Sequence, residues 1–290
     1  MQIIQFYQLA LVTAASVSIS AVPVLHLAGP YVQGNVATAA TTKIPHLTND
    51  GGITIPSVSI QPLFFGNVVY ATELEGFYIH VTNTKWWDIL SQYGIKRGSS
   101  IQGKHIRADP QNLHVKDLKT LLFNMVKTGY LKPEDCTYFP IHFSPDIVVT
   151  SESGQVSCKD WCGTHGAVDL RGSGSRTPYL FYGIIPDFSA ASSGCYKGCG
   201  SGNTLENIMK TSAHELAEAV TNPAGNIQGK GAWYDGTDVL QQGHDDGEIA
   251  DICPGQLAKT IGDDGKEYAI QRIWSNAHGA CVASVDDPKK

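Results

Sequence analysis

The placing of seven cysteines constrains this chain more than any other feature of its sequence: Cys136, Cys158, Cys162, Cys195, Cys199, Cys253 and Cys281. Two pairs stand at C-x3-C spacing, Cys158/Cys162 and Cys195/Cys199, both in Gly/Ser-rich stretches with little helical character. Short disulfide loops are geometrically possible there. Four thiolates so placed can also hold a zinc ion, and the compartment decides between the two readings. An exported chain meets an oxidising environment, so the expectation is disulfides, with Cys253–Cys281 as a third bridge. Cys136 is then left free, in or beside a strand.

The first residues point to export. Met1 to Ala21 carries no charged side chain, is mostly apolar or small, and offers Ile19-Ser20-Ala21 before Val22-Pro23. This is the pattern of a signal peptide over residues 1–21, lacking the usual basic residue; a buried N-terminal helix is the alternative. Ser16, Ser18 and Ser20 dilute the apolar run, and no later stretch reaches the ~20 residues of a membrane span. Residues 22–50 read as an extended arm, 51–285 as one domain and 286–290 as a frayed tail.

Hydrophobic residues make up 42 % of the chain and charged residues 17 %, a balance that supports a buried core rather than disorder. With 21 Lys+Arg against 27 Asp+Glu the formal charge is −6, and no basic cluster offers a footprint for phosphate backbones. Nucleic acid is therefore not an expected partner, and a monomer is expected.

Strand-like runs occur at Val58–Phe65, Asn67–Tyr70, Tyr138–Phe143, Asp146–Thr150, Tyr179–Ile185 and Tyr268–Trp274. Asp109-Pro110 opens a helix whose stripe Val115, Leu118, Leu122, Met125 and Val126 lasts until Gly129. A second helix is predicted from about Asn203 to Val220, with Asn203 or Thr204 as cap, Glu206 in the first turn and Asn222-Pro223 as stop. Together these predict an α+β fold: a mixed β-sheet packed by helices, loop-rich and disulfide-stapled.

The sharpest chemical signal lies on that second helix, in His214-Glu215-Leu216-Ala217-Glu218. Positions four apart share a helical face, so the His214 imidazole and the Glu218 carboxylate can converge on one ion. Glu215 points aside by about a third of a turn, where a general base can hold water polarised by the ion. The pattern follows the H-E-x-x-H logic of zinc peptidases with a carboxylate in place of the second imidazole. Downstream loops supply candidates for a third ligand: Glu248 first, then Asp251 and Asp235, with His244-Asp245-Asp246 a weaker cluster. His165, close behind Cys162, is a candidate ligand or oxyanion donor. Zinc is the expected ion; an all-oxygen set from Asp235, Asp245, Asp246, Glu248 and Asp251 can instead hold calcium as a structural ion, although no EF-hand spacing is present. The plain alternative is an amphipathic helix whose His and Glu side chains are simply solvated.

Taken together, several motifs resemble the phosphate-induced protein family, also called EXORDIUM-like. They are Cys158-Lys-Asp-Trp-Cys162-Gly-Thr-His165, Cys195-Tyr-Lys-Gly-Cys199, His214-Glu-Leu-Ala-Glu218-Ala-Val-Thr-Asn222-Pro223, Ala232-Trp-Tyr-Asp235, Glu248-Ile-Ala-Asp251-Ile-Cys253 and Ile270-Gln-Arg-Ile-Trp274-Ser-Asn276-Ala-His-Gly-Ala-Cys281. The resemblance implies an exported protein of the extracellular space or cell wall and supplies no established reaction. Asn222 stands where the family often has Asp, Thr164 where it often has Trp, and residues 236–246 look like an insertion.

Two functions follow as expectations. One is a secreted zinc metallopeptidase with Glu215 as general base, acting on a peptide or a cell-wall component. The other is a non-catalytic extracellular binding or signalling protein in which any metal is structural. In that second case Trp86, Trp87, Trp161 and Trp233 stack on wall polysaccharide, unless they are core residues.

Overall fold

A computed structural model describes residues 44–108, 112–189, 199–224, 231–236 and 247–289, together with the backbone of Leu27–Ala28. The expected signal peptide, most of the arm, the Asp109-Pro110 helix start, Cys195 and residues 237–246 lie outside the described residues.

The centre of the fold is one mixed sheet. Strand β8 (Thr137–Phe143) is flanked by β11 (Tyr179–Ile185) on one side and by β3 (Ser59–Ile60) and β4 (Leu63–Phe65) on the other, all parallel. Beyond these, β5 (Ser99–Ser100) pairs with β3 and β6 (Lys104–Ile106) with β4. Strand β10 (Gly163–Asp169) runs antiparallel to β11, and the short β1 (Leu27–Ala28) pairs antiparallel with β10. Every residue of β8 is buried, as expected of a parallel strand covered on both faces.

Alternation along β8 sorts the two cores. Phe139, Ile141 and Phe143 face helix α2 (Val115–Lys127) through Leu118, Leu122 and Val126. Tyr138 belongs to the other core, which is closed by α1 (Ala71–Val81), the 3-10 turn Trp87–Tyr93 and the long helix α3 (Thr204–Thr221). The hairpin of β13 (Leu257–Ile261) and β14 (Glu267–Gln271) packs on the outer side of α3. Helix α3 is therefore enclosed by sheet and hairpin, and every residue from Asn207 to Thr221 is buried. Its start obeys the sequence: Asn203 accepts from the Glu206 amide while the Glu206 carboxylate accepts from the Asn203 amide.

The α+β architecture agrees with expectation, and several local readings change. Asn67–Tyr70 forms a turn leading into α1 rather than a strand. Asn112–His114, read as helix, is a strand (β7) paired with β9 (Val148–Thr150); the helical stripe begins only at Val115. The end of the arm is held in place, with Thr48–Asn49 (β2) pairing with Trp233–Tyr234 (β12). The tail is held by Asp287, which accepts from the Ala283 amide and pairs with Arg272. Trp86, Trp87 and Trp161 are core residues, and Trp233 is half-buried.

The C-x3-C loops are corrected. Cys162 bonds Cys199, 37 residues away, with 5.5 Å between the Cα atoms. Cys158 is itself disulfide-bonded, so neither a Cys158–Cys162 loop nor a four-thiolate zinc site exists. Cys253–Cys281 is formed, and Cys136 is free and half-buried just before β8. Disulfides of this kind suit an oxidising, extracellular location. Among the described residues no helix is long and apolar enough to cross a membrane.

Candidate metal centre

Burial on all sides gives the His214–Glu218 motif its meaning. A helix face that meets water needs no partner for a carboxylate, whereas one enclosed by sheet and hairpin must compensate each charge. Glu215 and Glu218 are 1 % and 2 % exposed, and His214 only 5 %.

Three groups meet at the outer end of the motif. His214 Nε2 lies 3.0 Å from Glu218 Oε2 and 3.3 Å from Asp251 Oδ1. Despite these distances, the buried His214 Nε2 has no hydrogen-bond partner among the described residues. His214 Nε2 thus approaches two carboxylate oxygens without a hydrogen bond to either. Bonds of about 2.0–2.2 Å to a tetrahedral zinc would separate its ligand atoms by about 3.3 Å. The spacings of 3.0 and 3.3 Å from His214 Nε2 lie near that figure, so the donor set can hold a metal ion.

The turn carrying Asp251 is anchored from several directions. Its amide donates to Glu218 Oε1 at 3.1 Å, which leaves Oε2 facing the imidazoles. Gln271 Nε2 donates to the carbonyls of Ala250 and Cys253, the Trp274 amide donates to Ile249, and Cys253–Cys281 closes the turn. Burial and the adjacent Glu218 charge hold the Asp251 carboxyl well above the ordinary carboxylate range, while His214 opposes them. A cation between these groups would remove that penalty.

On the inner side, β10 brings His165 against the same helix. His165 Nδ1 lies 3.3 Å from Glu215 Oε2 and 3.7 Å from Glu218 Oε2. Its Nε2 stands 3.3 Å from the Asn222 carbonyl. Strand and helix come this close because residue 163 is glycine. A Cβ there would lie 2.4 Å from Glu215 Oε1 and 2.7 Å from Thr211 Cγ2.

The structure therefore brings together His165, His214, Glu215, Glu218 and Asp251. Glu248, the first choice as third ligand, stands on the far side of His165: Oε2 is 3.8 Å from His165 Nε2, and Oε1 accepts from Asn222 Nδ2 at 2.5 Å. Asp235 belongs elsewhere, its carboxylate accepting from the His46 amide. Asp245, Asp246 and His244 lie outside the described residues. Both ligand groupings found among the described residues contain an imidazole, which does not match an all-oxygen calcium set.

Three residues of the centre escaped the sequence reading. Asn222, read as a helix stop and a departure from the family pattern, joins the Glu248 carboxylate to the Ala232 amide. Tyr138 presents a fully buried hydroxyl without a hydrogen-bond partner, and Gly183 leaves room for it, since a Cβ there would lie 1.9 Å away. Burial, then Tyr78, Glu215 and Glu218, push this phenol well above its ordinary range. Lys210 is buried one turn before His214, and desolvation draws it down to about 8 against the pull of Glu215. An aromatic in a strand and a lysine in a helix carry no sequence signal for a site.

No protein-family model, curated protein or solved structure matches this chain.

Proposed function

We propose that this is an exported zinc-binding protein whose ion is held by His214, Glu218 and Asp251, and that it acts as a metal-dependent hydrolase of the peptidase type. One observation carries the reading: a buried imidazole nitrogen without a hydrogen-bond partner faces two carboxylate oxygens at 3.0 and 3.3 Å. The ion would supply a Lewis acid that polarises a carbonyl and lowers the pKa of a bound water. Glu215 supplies the base, its Oε1 lying 4.0 Å from His214 Nε2. Export rests on the uncharged residues 1–21 and on the disulfides; a cell-wall setting rests on the motifs shared with phosphate-induced proteins.

A second reading has its own observation. Asp251 has the most exposed side chain of the three proposed ligands, at 15 % against 7 % for His214 and 2 % for Glu218, and an ion so enclosed can serve as a staple for the Glu248–Cys253 turn. Elemental analysis of the purified protein, with His214→Ala beside it, tests the metal; an ion-free wild type would overturn the proposal. Glu215→Gln should keep that ion and abolish cleavage of an unfolded protein substrate. Persistent cleavage would remove Glu215 as base, and a metal-loaded wild type without cleavage would leave the staple.

A further inference from the structure

We infer that a second divalent cation site lies behind the first, formed by His165 Nδ1, Glu215 Oε2 and Glu218 Oε2; the inference deepens the proposed metal centre and rests on it for the first ion. His165 Nδ1 is 3.3 Å from Glu215 and 3.7 Å from Glu218, again near the spacing about a tetrahedral ion. The two groupings, His165–Glu215–Glu218 and His214–Glu218–Asp251, have only Glu218 in common. Two ions sharing one carboxylate is the arrangement of dinuclear sites, with a metal separation of about 3.5–4 Å.

The orientation of the His165 ring is compatible with the assignment. Its Nε2 faces the Asn222 carbonyl at 3.3 Å, and a carbonyl can only accept, so Nε2 carries the proton. Nδ1 faces two carboxylates and shares a hydrogen bond with Glu215 Oε2 at 3.3 Å, a contact that an ion on the deprotonated nitrogen would replace. Metal-bound histidines are held in this way, by donation from the far nitrogen to a carbonyl or carboxylate. A second acceptor stands behind: Glu248 Oε2, 1 % exposed and without a hydrogen-bond partner, is 3.8 Å from His165 Nε2. On the Glu215 side the partnerless Tyr138 hydroxyl is fully buried.

Charge points the same way. Glu215, Glu218, Glu248 and Asp251 contribute four carboxylates, and Lys210 is the buried lysine that interacts with Glu215. One divalent ion beside Lys210 leaves this enclosed cluster anionic; a second removes the deficit. An ion on Glu215 Oε2 also competes with the proton that the base must take. Excess metal should therefore inhibit any hydrolysis supported by the first ion alone.

The test is metal stoichiometry. Protein stripped by chelator and dialysed against Zn2+ should bind two ions per chain. His165→Ala and the near-isosteric Glu215→Gln should each bind one, and circular dichroism should show both variants folded. His214→Ala should also bind one, at the inner site. A wild type with one ion that survives His165→Ala and is lost in His214→Ala overturns this inference and leaves the proposed centre intact. One ion with the reverse sensitivities overturns the first ligand set and supports the inner site. No bound ion overturns both.

Discussion

Replacing Gly163 by alanine tests whether the close approach of β10 to α3 holds the centre together. The new Cβ would stand 2.4 Å from Glu215 Oε1 and 2.7 Å from Thr211 Cγ2, where ordinary contact needs at least about 3.4 Å. Neither neighbour yields easily, because Glu215 is 1 % exposed with His165 against its other oxygen, and Thr211 is 2 % exposed. Overpacking of this degree costs about 1–3 kcal/mol. For a chain of this size the midpoint of thermal unfolding should fall by roughly 2–5 °C. The strand must move off the helix, carrying His165 away from Glu215, so metal content should fall as well. Calorimetry and elemental analysis on the same preparation read both effects. Thr211→Ser removes the methyl group at 2.7 Å and leaves the Glu215 contact, so the double variant should recover part of the stability but little of the metal. A Gly163→Ala protein with wild-type melting and wild-type metal content would refute the reasoning.

Other outcomes follow from the same geometry. His142 is fully buried with Nε2 3.0 Å from the Tyr78 hydroxyl, and desolvation lowers it from 6.5 to about 3. Below pH 6.5 the unfolded chain takes a proton that the folded chain refuses, so stability is complete above that pH and falls toward pH 3. The loss at pH 5 is about 2 kcal/mol, and denaturant titrations of His142→Phe should lack this contribution. Asn222→Asp replaces the donor to Glu248 by a second carboxylate and should cost about 2 kcal/mol or more at pH 7. The gap to wild type should narrow as pH falls, because a shared proton relieves the pair; a gap that is constant with pH would count against it. Removing Cys253–Cys281, which closes a 28-residue separation, should cost roughly 3–4 kcal/mol and release the turn that carries Asp251. Metal lost together with stability is the expected result; metal retained at full occupancy would show that the turn does not depend on the bridge.

Much of the frame was legible because it rests on local rules. The Asn203/Glu206 capping box and the Asn222-Pro223 stop bracket α3, and both act within a few residues of the chain. The runs that became β8 and β11 are mostly apolar because both of their faces are covered. Where local rules compete, the reading failed. Asn112–His114 precedes a strong helical stripe without interruption, and only the presence of β9 makes it a strand. Asn67–Tyr70 has strand composition, yet it forms the turn that leads into α1.

By itself, the sequence determined that an imidazole and two carboxylates share one stretch of helix, because periodicity is a property of the backbone. It suggested Cys253–Cys281 as a bridge and Cys136 as the odd cysteine, but the connectivity came from the structure. Tertiary structure decided that α3 is enclosed on all sides, which turns an ordinary polar stripe into a buried cluster that can hold a cation. It chose Asp251 over Glu248 and Asp235 at the outer group, since three acidic residues on adjacent loops are equivalent until the loops fold. It joined Cys162 to Cys199 across 37 residues, where spacing suggested a neighbour four positions away. In each case the deciding quantity is a distance between residues remote in the chain, which no local pattern encodes.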